Sequence, residues 1–173
     1  PKSVTAISPI FGQLVAFSQP ATFVVKFENA DGSNYIREAV PQGETVEKWT
    51  QMITVTGAKE LAETRDVEPI NVASTIANGF QKACPKTFSA INLGNLSISG
   101  RRAMAVVAGC GTVAAQGSAH SETALIAAIK GESDYYTLQW AQRGAATGAP
   151  PALEAGLWKY RLAELQPIKL CDI

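Results

Sequence analysis

Between Ser121 and Arg143 the chain reads SETALIAAIKGESDYYTLQWAQR, two runs of strand-forming residues on either side of a short polar turn. Gly131-Glu132-Ser133-Asp134 holds residue types that adopt turn dihedrals and hydrogen-bond their own backbone, while Tyr135, Tyr136, Thr137, Leu138 and Trp140 suit a pleated surface. The segment reads as a β-hairpin, and any fold for this chain must place it in a sheet. Adjacent Tyr135 and Tyr136 point to opposite faces of that sheet, so at least one of them belongs to the core.

Further strands and two helices follow from the same kind of reading. The run TFVVKFE at 22–28 and YIREAV at 35–40 flank an Asp-Gly turn, which predicts a second hairpin. Pro41-Gln42-Gly43-Glu44 breaks the strand, WTQMITVT from Trp49 to Thr56 resumes it, and Gly57 closes it. Between Pro69 and Cys84, apolar Ile70, Ala73, Ile76, Ala77, Phe80 and Ala83 fall at three and four spacing, predicting an amphipathic helix that starts at Pro69 and stops before Pro85. Thr87 to Leu93 and Arg102 to Ala108 read as strands. A last helix is expected from Ala152 to Leu165, with Leu153, Leu157 and Tyr160 on one side and Trp158, Leu162 and Leu165 on the next; so wide an apolar arc predicts a helix lying deep against the sheet, ended by Pro167. Residues Pro1 to Gln19 carry apolar residues at irregular spacing with Pro9 among them, and predict only a short helical turn or an edge segment. The order of elements favours an α+β fold, a mainly antiparallel sheet of about six or seven strands packed by two main helices, over a doubly wound parallel sheet. A length of 173 residues fits a single domain, 1–173.

Composition excludes several function classes. Fifteen Lys and Arg balance fifteen Asp and Glu, so no net field draws in a polyanion and nucleic acid is not an expected partner. No apolar run approaches the roughly 20 residues of a transmembrane helix. The chain starts at Pro1 rather than Met, as a mature chain does after loss of an export signal. Cys84, Cys110 and Cys171 match no zinc spacing, which leaves one disulfide in an oxidising compartment or three buried thiols in a reducing one.

Catalytic signals are sparse. His120, the only histidine, sits in Gln116-Gly117-Ser118-Ala119-His120-Ser121-Glu122, a strand entrance, and reads first as a strand-edge residue; no GxSxG, Walker loop or GxGxxG accompanies it. Glu44 with Glu47, and Glu60 with Glu63, have spacings of solvated turns or helix faces rather than of paired catalytic acids. No metal or other cofactor is implied. The aromatics say more: Trp49, Tyr135, Tyr136 and Trp140 lie on predicted strands near Arg37, Gln139 and Arg143, the mixture that lines a shallow binding face. The candidate binding residues are therefore Arg37, Trp49, Tyr135, Gln139, Trp140 and Arg143. They favour a non-enzymatic module that binds a protein or peptide partner through a sheet face or edge. The alternatives are a carrier of a small apolar ligand held between sheet and helix, and an enzyme using His120 or a reactive Cys171.

Two segments taken together, YIREAVPQGETVEKWTQMITV from Tyr35 to Val55 and the stretch from Glu122 to Arg143 ending in YYTLQWAQR, resemble small exported bacterial proteins of uncharacterised function. The order of elements is also similar to the Mog1/PsbP-like α/β/α fold. The resemblance implies helices on both faces of an antiparallel sheet, a periplasmic or secreted location, and a disulfide between Cys84 and Cys110 that leaves Cys171 outside the pair. It implies no catalytic residue.

Overall fold

The structure, a computed structural model, describes residues 2–115 and 118–173; the strand entrance expected around Gln116 and Gly117 lies outside them. Strands β1 (Ser3–Ile10), β2 (Gln13–Pro20), β3 (Phe23–Ala30), β4 (Asn34–Pro41) and β5 (Gln51–Ala58) precede helix α1 (Pro69–Ala83). Then come β6 (Phe88–Ile98), β7 (Arg101–Ala115), β8 (Ser118–Lys130), β9 (Tyr135–Ala145), helix α2 (Ala155–Glu164) and β10 (Lys169–Asp172). Seven strands form the main sheet in the order β3-β4-β5-β9-β8-β7-β6, and three form a smaller one, β1-β2-β10. Every pairing is antiparallel. The fold is α+β.

The hairpin at Gly131 sits at the centre of the main sheet as β8 and β9, in register from Lys130 opposite Tyr135 to His120 opposite Ala145. Only glycine fits at 131, because a Cβ there would lie 2.6 Å from Gln13 Oε1 and 2.6 Å from Tyr136 Cε2. Both tyrosines are buried, one on each face. Tyr136 joins the larger core and donates its hydroxyl to the carbonyl of Ile10, while Tyr135 donates to the carbonyl of Val67 below α1.

Each face of the main sheet has its own cover. On one, Ala73 and Ala77 of α1 meet Val106, Ala108, Ala124, Ile126 and Ala128; small residues on both surfaces let the helix lie close. On the other, the small sheet and α2 bury Ile10, Val15, Phe17, Leu170, Trp158 and Leu165 against alternate residues of β5, β7, β8 and β9. The second layer is thus a helix plus a three-stranded sheet.

Three expectations need correction. Residues Pro1 to Gln19 contain a hairpin, not a helical turn or a lone edge segment; β2 alternates correctly, with Gln13, Val15, Phe17 and Gln19 buried, and β1 tolerates Pro9 because it pairs on one side only. Trp49 lies in the loop before β5 rather than on the strand. Helix α2 turns only Trp158 and Leu162 fully inward, and leaves Leu157 and Tyr160 42% and 64% exposed.

Both edges of the main sheet are bulged. The β3–β4 register shifts between Val25 and Phe27, around Lys26, and the β6–β7 register shifts between Asn92 and Gly94, where Gly94 adopts φ 101°. Bulges and an edge lysine are devices that stop a strand from recruiting another strand.

Cys84 at the end of α1 is bonded to Cys110 of β7, with Cα atoms 5.7 Å apart; both are buried. Cys171, on β10, is an exposed free thiol. No helix among the described residues is long and apolar enough to cross a membrane.

Candidate functional site

Extending the pairing back from the Gly131 turn sets Glu122 of β8 opposite Arg143 of β9, and strand alternation puts His120 beside Glu122 on the same face. The Arg143 Nε–H donates to Glu122 Oε1 at 3.1 Å, and His120 Nε2 lies 3.6 Å from the same oxygen. Above them, the guanidinium stacks on the Trp49 ring with 3.9 Å between Cζ and the ring centroid, a favourable cation–π contact.

Trp49 is delivered by the loop between β4 and β5. Gly43 turns the chain with φ 91°, and Glu44 then reaches across to accept the Thr50 amide at 2.6 Å and the Thr50 hydroxyl at 2.8 Å. The Arg143 amide donates to the Thr50 carbonyl at 2.8 Å, tying this loop to β9. The indole packs on Val40 and Met52 in a small separate core. Glu44, which reads as a solvated turn residue, is therefore what closes the loop that carries the tryptophan.

A cleft of ≈ 520 Å³ opens between this loop and the ends of β8 and β9, lined by Lys48, Trp49, Thr50, Ser118, His120 and Arg143 among others. His120 Nδ1 lies 3.3 Å from the Ser118 carbonyl and Nε2 lies toward Glu122, and neither ring nitrogen is hydrogen-bonded to a hydroxyl among the described residues. Cys171 belongs to the small sheet on the opposite side of the main sheet, and the two residues form no pair.

The six candidate binding residues divide between the faces. Tyr135, Gln139 and Arg143 share the α1 side of β9, and Trp49 folds over the same side. Trp140 points the other way into the core, where it is 3% exposed and donates its indole N–H to Gln51 Oε1 at 2.8 Å; it is not available to a partner. Arg37 lies on that second face too, opposite Glu28 of β3. His120, weighed in sequence only as a strand-edge or catalytic residue, joins the site, and the missed participant is Glu122, for which the hairpin register carries the signal: an acid facing an arginine across two strands.

Beside α1 lies a second depression of ≈ 540 Å³, lined by Val72, Ile76, Leu61, Thr56, Tyr135 and Thr137 among others, with no charged side chain. Burial, aided by the nearby Glu68, pushes the Tyr135 phenol up to about 12. Much of its polar lining is already paired: the Tyr135 hydroxyl goes to Val67, the Thr75 hydroxyl to the Asn71 carbonyl, and Thr56 to Thr137. Between the two depressions, the face of β4, β5 and β9 carries half-buried Glu38, Thr54 and Gln139 in a cross-strand row, while α1 packs over β6, β7 and β8. Burial raises the Glu38 carboxyl above its ordinary value.

No protein-family model matches the chain, and no curated protein matches its sequence. Solved structures do match in shape. The Saccharomyces cerevisiae Ran-binding protein Mog1p superposes with a TM-score of 0.52 over 95% of this chain and 93% of its own, at 9% identity. A point mutant of Mog1 gives a TM-score of 0.54 over 98% of this chain and 97% of its own, at 11% identity. The chain has the Mog1 fold. Mycobacterium tuberculosis LpqN, described as involved in cell envelope biogenesis, matches more loosely, with a TM-score of 0.44 at 10% identity over 98% of this chain and 91% of its own. Identities this low make the Mog1 likeness one of fold, not of function.

Proposed function

We propose that this Mog1-like chain is a non-enzymatic binding module that receives a protein or peptide partner on the uncovered face of β4, β5 and β9. One observation carries the reading. Both edges of the main sheet are blunted by bulges, whereas this face stays open beside α1 and ends on exposed Val24 and Phe27 of β3, 38% and 42% accessible. Trp49, Tyr135, Gln139 and Arg143 border or floor it, and its row of Glu38, Thr54 and Gln139 suits hydrogen-bonded, hydrated recognition. That Mog1p is a Ran-binding protein agrees with a fold able to host a protein partner. A periplasmic or secreted location is part of the proposal, supported by the buried Cys84–Cys110 disulfide.

A photo-crosslinking amino acid placed at Phe27 or Thr54 in the producing cell tests the face, with Tyr160 of α2 as the control position. The expected result is a discrete adduct from the first two sites and none from the third. No adduct from the face, or the same adduct from Tyr160, overturns the reading.

The uncharged depression beside α1 supports a second reading, carriage of a small neutral apolar ligand. Native mass spectrometry of the freshly isolated protein separates the two: a bound mass lost on organic extraction favours carriage, and a clean apo mass removes it.

A further inference from the structure

We propose that the cleft between the Trp49 loop and the ends of β8 and β9 is a carboxylate-binding site, with Arg143 as its recognition residue and Trp49 and Glu122 as the residues that hold it. The reading of the chain as a binding module is needed only to name the source, an acidic side chain or chain end of the partner.

Arg143 is immobilised before any ligand arrives. Its plane is stacked on a buried indole, its Nε–H is spent on Glu122, and its backbone amide is bonded to Thr50. Among the described residues, Nε is the only guanidinium nitrogen with a hydrogen-bond acceptor, which leaves the Nη1 and Nη2 donors. An arginine fixed in this way has lost its rotamer entropy in advance, and two terminal N–H groups match the two oxygens of one carboxylate.

The rest of the lining agrees. Lys48 and the Ser118 hydroxyl add donors on either side, against one lining carboxylate, the exposed Glu47. Charge decides between classes of anion. Arg143 and Lys48 are offset by Glu122 and Glu47, so the surroundings are too nearly neutral for a doubly charged phosphate and suit a single negative charge. His120 adds a second feature: its Nε2 is shielded from solvent, has no hydrogen-bond partner, and lies 3.6 Å from the Glu122 oxygen that Arg143 holds.

Four probes test the site without the partner: N-acetyl-glutamate amide, N-acetyl-glutamine amide, N-acetyl-glutamine with a free carboxyl end, and inorganic phosphate. Each is titrated into 15N-labelled protein while the Arg143 Nε–H and Trp49 indole N–H signals are followed. A saturable shift from the first or third probe, absent with the second, is expected, and the first and third distinguish a side-chain source from a chain end. Arg143→Lys, which keeps the charge but loses the paired donors and the flat stack, should weaken the response about tenfold or more, whereas Arg65→Gln, at an exposed residue outside the cleft, should leave it unchanged. An equal response to the neutral probe, a stronger one to phosphate, or an unaltered one in Arg143→Lys overturns the proposal. Such a failure leaves adducts from Phe27 standing, so the cleft and the binding face fail separately.

Discussion

Asp134, the last residue of the central hairpin turn, ties two distant segments to the hairpin with one buried carboxylate. It accepts the Glu60 amide at 2.7 Å and the Gly12 amide at 3.4 Å, and lies 3.3 Å from the Tyr136 hydroxyl that donates to Ile10. Replacing it leaves the two amides without a partner, so Asp134→Ala should cost about 3 kcal/mol, read as a lower urea midpoint with an unchanged slope. In sequence Asp134 looks like an ordinary turn residue; its long-range role depends on the β1–β2 turn arriving from 122 positions away, which no local pattern encodes. Phenols supply a second expectation. Burial, reinforced by Glu28, pushes Tyr35 up to about 12, and burial with Glu68 nearby does the same for Tyr135. The folded state therefore keeps protons that the unfolded chain gives up near pH 10, and these two residues contribute stability that is whole below about pH 10 and lost as pH rises toward 12. Alkaline titration should show phenolate absorbance rising together with unfolding, and Tyr35→Phe should lessen the loss across that window.

Among the elements, α1 depends most on a single covalent bond. The Cys84–Cys110 disulfide closes a 26-residue separation and fastens the end of α1 to β7. Loop-closure entropy for that length corresponds to about 3 kcal/mol, so Cys84→Ala with Cys110→Ala should lose about that much, measured by chemical denaturation. Intact mass after alkylation of the native protein should count one reactive thiol, Cys171. The elements differ in how plainly the chain announces them. Helix α1 and the strands β3, β4, β8 and β9 are legible because period and punctuation agree: Pro69 opens the helix, and Asp-Gly and Gly-Glu-Ser-Asp mark the two turns. Strands β1 and β2 escape because Pro9 interrupts the first, and the turn between them, Phe11-Gly12, puts a phenylalanine at φ 55°, where a glycine or asparagine is the usual signal. Helix α2 misleads in the other direction: its apolar arc is wide, yet only the Trp158 and Leu162 side of it finds a surface. The candidate site is half legible for a related reason. Arg143, Gln139 and Tyr135 share a face by strand alternation, which also sets Trp140 on the opposite one, whereas nothing local reveals the face of Arg37, which depends on the β4–β5–β9 register.

For the molecule as a whole, the two sheets and α2 share one hydrophobic cluster, into which Ile10, Phe17, Leu138, Trp140 and Leu165 all project. We propose on this basis that the chain unfolds as one unit. Tryptophan fluorescence, with reporters at Trp49, Trp140 and Trp158, and far-UV circular dichroism should give coincident urea transitions; a separate early loss from the β1–β2–β10 side would contradict it.

The small sheet has one more property, set by order along the chain. Its strand β10 follows every other strand in sequence, yet it zips onto β2, near the opposite end. A polypeptide emerging amino end first, from a ribosome or a translocation pore, therefore keeps the flank of β2 and the core surface that Ile168 and Leu170 cover bare until Lys169–Asp172 have emerged.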